Sequence, residues 1–170
     1  AIATLGGMRW RDAPAYVVAQ IAGCASGAIL GNAMFALPAV TISTTARATG
    51  ANLLAEVVAA AGLVLVILAL VRSNRLDWVA PAVGAYIGSA YFFTASTSFA
   101  NPAITIGRML SDTFAGIAPA SAPPFIAAQL LGAAIAVGLA VLLYPRTVIV
   151  VAETPRDPDE PGTLTDAATK

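Results

Sequence analysis

Phe99-Ala100-Asn101-Pro102-Ala103-Ile104-Thr105-Ile106-Gly107-Arg108 is the stretch on which the fold turns. Asparagine ahead of proline and alanine is the chemistry of a helix start. Asn101 can cap free backbone N–H groups, and Pro102 fits the first helical position, where no N–H is needed. The apolar segment just before it, Trp78 to Thr97, has the length of about 20 residues that crosses a bilayer. A short helix beginning at membrane depth must line a protein-walled, wet cavity, because lipid cannot satisfy irregular backbone. The stretch therefore reads as the wall of a pore.

Composition agrees with a membrane setting. The chain is 58% hydrophobic and only 11% charged, with a mean hydropathy of +0.81, well away from soluble domains. Its formal net charge is zero, so nothing points to a nucleic-acid partner. It has no histidine and one cysteine, Cys24, which leaves no metal-ligand cluster, no disulfide and no implied cofactor. Cys24 lies among small residues and reads as packing, against the alternative of a reactive thiol. No nucleophile, base and orienting group fall together, which disfavours an enzyme.

Outward from residue 99, four spans are expected: Ala13 to Phe35, Leu53 to Val71, Trp78 to Thr97 and Pro124 to Tyr144. Gly23, Gly27 and Gly31 place small residues on one face of the first, the pattern that lets helices approach closely in lipid. A polar linker, Ala36 to Asn52, joins the first two spans. Residues 1–145 are expected to form the membrane domain. Residues 146–170, polar, acidic and proline-containing, read as a disordered tail. Arg9, Arg11, Arg72, Arg75 and Arg146 gather on one side, with Arg47, or Arg47 and Arg108, on the other, which predicts a cytoplasmic tail and an outward-facing Asn101 loop.

Pro14-Ala15-Tyr16-Val17-Val18-Ala19-Gln20-Ile21-Ala22-Gly23 matches Pro123-Pro124-Phe125-Ile126-Ala127-Ala128-Gln129-Leu130-Leu131-Gly132 in register. An odd number of crossings separates the copies, so the repeat is inverted, an arrangement that builds sites from paired broken helices. A first box equivalent to residues 101–103 would fall just before Ala1, so the chain reads as truncated.

The Asn101-Pro102-Ala103 box after a span, the Ala-Gln-x-x-Gly signature at Gln20 and Gln129, and a lone glutamate, Glu56, two spans before the box resemble the aquaporin, or major intrinsic protein, family. The resemblance covers about residues 1–145 and implies that the first two spans and the first such box are absent from the chain. It implies an all-α, multi-pass membrane bundle of inverted repeats with a re-entrant half-helix, assembled as a homotetramer in the cell membrane. It also implies passive conduction of small neutral solutes. A coupled carrier, and a truncated remnant or scaffold that conducts nothing, are the other readings.

Asn101 would turn its amide to the lumen at a partly positive helix start, repelling cations. Glu56, an intramembrane carboxylate, is either a proton or ion relay or an acceptor bracing the loop. Gln20 and Gln129 carry the same two readings, bracing or solute contact. Water-conducting members place an arginine three residues after the asparagine of the box and a histidine in the preceding span. The corresponding positions here are Ile104 and Ser89, with Ser98 as the other loop position. This implies a wider, less polar filter suited to uncharged polyols. The run from Ala100 to Ile117 is similar to bacterial aquaporins accompanying arsenic resistance, which implies arsenite, the neutral triol As(OH)3, as solute. Arg108, one turn beyond Ile104, either lines the outer vestibule or pairs with Asp112.

Overall fold

A computed structural model describes residues 9–144, and the expected tail lies outside them. Five helices follow one another: α1 (Ala13–Met34), α2 (Gly50–Arg72), α3 (Val79–Phe93), α4 (Pro102–Gly107) and α5 (Ala122–Leu143). Among the described residues there is no strand. The fold is an all-α, multi-pass membrane bundle with a short internal helix.

Local chemistry sets the ends. Arg9 Nε donates to Asp12 at 2.9 Å just before α1, and Pro14 sits in its first turn. Thr49 Oγ1 caps α2 by accepting from Asn52 N–H, so this helix starts three residues earlier than the hydropathy suggested. At the far end of α2, Arg72 donates to the Tyr144 carbonyl at 2.7 Å and also to that of Ala140, tying it to α5. The ends of α1 and α5 are displaced by the same interval that separates Gln20 from Gln129, as an internal repeat requires.

Among the described residues, three segments are long and apolar enough to cross a membrane: Trp10–Met34, Gly50–Arg72 and Pro119–Leu143. The segment expected as the third span is shorter than its apolar run. Its helix holds 15 residues, about 22 Å against a hydrocarbon core of about 30 Å. The cause is Thr94, whose hydroxyl and N–H both turn back to the Ala90 carbonyl while its backbone becomes extended (φ −112°, ψ 136°). From there the chain runs into the loop that precedes α4.

The close packing is between α2 and α5. A Cβ on Gly132 would lie 2.4 Å from the Val57 carbonyl oxygen, so only glycine permits this approach. Phe99, Ile117 and Phe125 form one buried cluster, edged by Leu53, Ile104 and Met109. Ala59, Ala60 and Ala100 form another beside Leu63 and Ile87. Helix α1 meets α4, where a Cβ on Gly107 would fall 2.8 Å from the backbone of Cys24. Cys24 is thus a packing residue. The glycine stripe of α1 does not make the contact expected of it: Cβ atoms at Gly23, Gly27 and Gly31 would meet nothing within 4 Å among the described residues.

Candidate functional site

The site is built around the loop that enters α4. Thr97, Ser98 and Ala100 all have positive φ (62°, 47° and 51°), an unfavourable conformation for residues with a Cβ. Opposite them stands Glu56, fully buried on α2. Its Oε1 accepts from Phe99 N–H and its Oε2 from Ala100 N–H, each at 2.9 Å. Gln129 on α5 donates to Glu56 Oε2 at 2.6 Å and to Thr105 Oγ1 at 2.9 Å. The Thr105 hydroxyl lies 3.1 Å from the Asn101 carbonyl, so α5, α2, the loop and α4 share one buried polar network.

Asn101 has extended backbone, and its Oδ1 accepts from Ala103 N–H at 2.8 Å, with Pro102 at the first helical position. The cap fixes the side chain so that its amide nitrogen points toward α1, 3.5 Å from Gln20 Oε1. Ile104 and Arg108 follow on one face of α4 and the turn after it.

The other sequence-derived positions are not gathered into one ring. The Ser98 hydroxyl is buried and without a partner, as is that of Thr97. Ile104 is half-buried and edges the Phe99 cluster. Ser89 lies exposed on α3, with its hydroxyl turned back to the Ala85 carbonyl at 2.8 Å.

Arg108 does not pair with Asp112. It donates to the Tyr91 hydroxyl, and its guanidinium carbon lies 4.2 Å from the centre of the Phe99 ring. Asp112 instead accepts from Thr44 N–H at 2.9 Å and from the Thr44 and Ser43 hydroxyls. Those bonds, that to Thr44 N–H foremost, hold the Asp112 carboxyl below its usual range despite a smaller opposing effect of desolvation. The polar linker lies along the segment after α4, bonded through Thr41 N–H to Leu110 O, Ser43 N–H to Met109 O and Ala118 N–H to Thr45 O.

Arg47, which the sequence offered only as an orientation charge, is buried in this layer. It donates to the Gly116 carbonyl at 2.7 Å, to that of Ser96 at 3.4 Å and to that of Phe114, and faces Phe99 at 5.3 Å. Desolvation first, then the neighbouring Arg108, lower its pKa from the usual arginine value. Asn32, also buried, bonds the carbonyls of Ala39 and Leu110 and accepts from Ser111 Oγ. Arginine in a linker and asparagine late in an apolar helix were the available signals for these two. Beside Asn32 lies a cavity of about 540 Å³ lined by residues that include Ala28, Gly31, Asn32, Arg108, Ser111 and Thr113.

An asparagine-capped, proline-started half-helix braced by a buried glutamate, in a bundle carrying an internal repeat, is the architecture of an aquaporin, and the chain belongs to the aquaporin, or major intrinsic protein, family. It is 46% identical over 153 residues to aquaglyceroporin AqpS of Rhizobium meliloti (strain 1021). The match takes in 88% of this chain and 64% of that relative's length. No family model and no solved structure matches the chain.

Proposed function

We propose that this chain contributes to a passive membrane channel for small uncharged solutes, with metalloid hydroxides such as arsenite and glycerol ahead of water. The observation that carries this reading is the half-helix at Asn101–Gly107, held by Glu56 and Gln129, with uncharged Ile104 one turn into it. The start of a helix repels cations and can hydrogen-bond a neutral oxygen. Asn101 supplies a second donor, aimed by Gln20. In this reading Glu56 and Gln129 act as braces, since both Glu56 oxygens are occupied by N–H donors and none is left facing a lumen.

Ser98 and Ile104 form part of the filter and Ser89 lies on its α3 wall. A neutral triol fits such a lining better than an ion, because Ile104 leaves width and offers no counter-charge for an ion to exchange for its water. The relative's designation as an aquaglyceroporin supports the same solute class. No residue of α1 is buried along its most hydropathic stretch, which favours assembly with further helices, the homotetramer being the assembly we propose. Arg9, Arg11, Arg72 and Arg75 support a cytoplasmic position for that end of the bundle and for the tail.

The test is uptake of arsenite and of glycerol by cells lacking their own channels and expressing the reading frame that encodes this chain. Faster entry of both than in empty cells is expected. Entry no faster than in empty cells, with protein present in the membrane, would refute it and favour a non-conducting scaffold.

A further inference from the structure

Ile104 leaves the usual filter position without charge, yet one turn outward a cation is held with no carboxylate against it among the described residues. Arg108 follows Ile104 by four residues, on the same face and about 6 Å farther along the axis. Its guanidinium is fixed three ways: a bond to the Tyr91 hydroxyl, the Phe99 ring at 4.2 Å and the Tyr91 ring at 5.7 Å. Arg47, locked by loop carbonyls, also faces the buried Phe99 ring, at 5.3 Å, so one ring serves both guanidinium groups. Among the described residues no carboxylate lies within 4 Å of Arg108, because Asp112 is taken by Ser43 and Thr44. Its Nη1 is buried and has no partner, and the residue lines the 540 Å³ cavity with Asn32 and Ser111. A planar guanidinium held against aromatic faces keeps its place.

We propose that Arg108 is the specificity-determining charge of this channel, displaced one helical turn outward from the constriction, with Tyr91 and Phe99 as its positioning residues. The inference rests on the channel reading and adds to it a division of labour. Ile104 leaves the narrow zone wide enough for a neutral polyhydroxy solute, while Arg108 excludes cations and hydrated protons in the vestibule. At about 6 Å and an effective dielectric constant of about 40, one unit charge changes the barrier for a passing monovalent cation by a factor of about ten.

The experiment reconstitutes protein from the reading frame encoding this chain into liposomes, and measures glycerol flux by light scattering and proton and methylammonium flux with an internal pH dye. Arg108→Ala is expected to raise the ratio of proton or methylammonium flux to glycerol flux about ten-fold, and Tyr91→Phe by about three-fold. Asp112→Asn, which touches the linker tether alone, leaves the ratio at its wild-type value. If Arg108→Ala does not reconstitute, Arg108→Gln and Tyr91→Phe carry the comparison. A ratio within two-fold of wild type in the arginine variant and in Tyr91→Phe, with glycerol still conducted, overturns the role of Arg108. A ratio that rises in Asp112→Asn as in Arg108→Ala overturns it too. Absence of glycerol flux in the wild type refutes instead the channel reading on which the inference stands.

Discussion

Replacing Glu56 by glutamine is the perturbation that reaches furthest into this architecture. Three residues of the loop, Thr97, Ser98 and Ala100, hold positive φ, at about 1–2 kcal/mol each, or about 3–6 kcal/mol together. Against this stand the two backbone N–H bonds to the Glu56 carboxylate, each worth about 1.5–3 kcal/mol when the acceptor is charged, so the two sides are nearly matched. Glutamine has the same shape but one acceptor oxygen. Its NH2 group must face either Phe99 N–H or Ala100 N–H, which loses one bond and sets donor against donor. The loss of about 2–3 kcal/mol speeds local opening by about 30- to 150-fold. Hydrogen exchange of the purified protein, read at the Phe99 and Ala100 amides, measures that opening directly. Exchange there within three-fold of wild type would show that something other than Glu56 holds the loop.

Four further outcomes follow from the same geometry. Asn101→Ala removes the cap on Ala103 N–H, costing about 1 kcal/mol, and frees the lumen of its amide; glycerol flux per reconstituted protein should fall several-fold. Ile104→Arg restores a charge beside Phe99 and should cut glycerol flux relative to water flux about ten-fold in liposomes. Gly132→Ala places a methyl group 2.4 Å from the Val57 carbonyl and should lower the midpoint of thermal unfolding in detergent, whereas Gly27→Ala, with nothing within 4 Å among the described residues, should not. The Asp112 carboxyl is held below its ordinary value of 3.8, so its tether to Thr44 is at full strength above that value and is lost as pH falls through the lower one. Protease cleavage within residues 36–49 should therefore be unchanged from pH 7 to 5 and rise only below about pH 4.

Much of this fold can be read from local chemistry. Asparagine followed by proline dictates a helix start at Asn101, and the paired Ala-Gln-x-x-Gly signatures place α1 and α5 in equivalent registers. What could not be read is contact between distant parts of the chain. The apolar run through Thr97 gives no hint that Thr94 stops α3, because hydropathy does not register a hydroxyl returning to the carbonyl four residues earlier. Asp112 stands one turn from Arg108 in sequence, yet it binds Thr44, 68 residues away. Arg47 looks like an exposed linker charge until the loop carbonyls of Ser96 and Gly116 close around it. Glu56 stood out as a lone acid in an apolar span, but its donors, 43, 44 and 73 residues on, are a property of the tertiary structure. The glycine stripe of α1, by contrast, has no partner among the described residues, so its role in close helix approach is not visible within them.

The central claim is that this bundle lets small neutral solutes through. Its most direct test is the rate at which liposomes carrying the purified protein re-swell in an inward gradient of glycerol or arsenite. The account predicts re-swelling about ten-fold faster than in protein-free liposomes, for both solutes. Rates equal to those of protein-free liposomes, at verified protein incorporation, would contradict it.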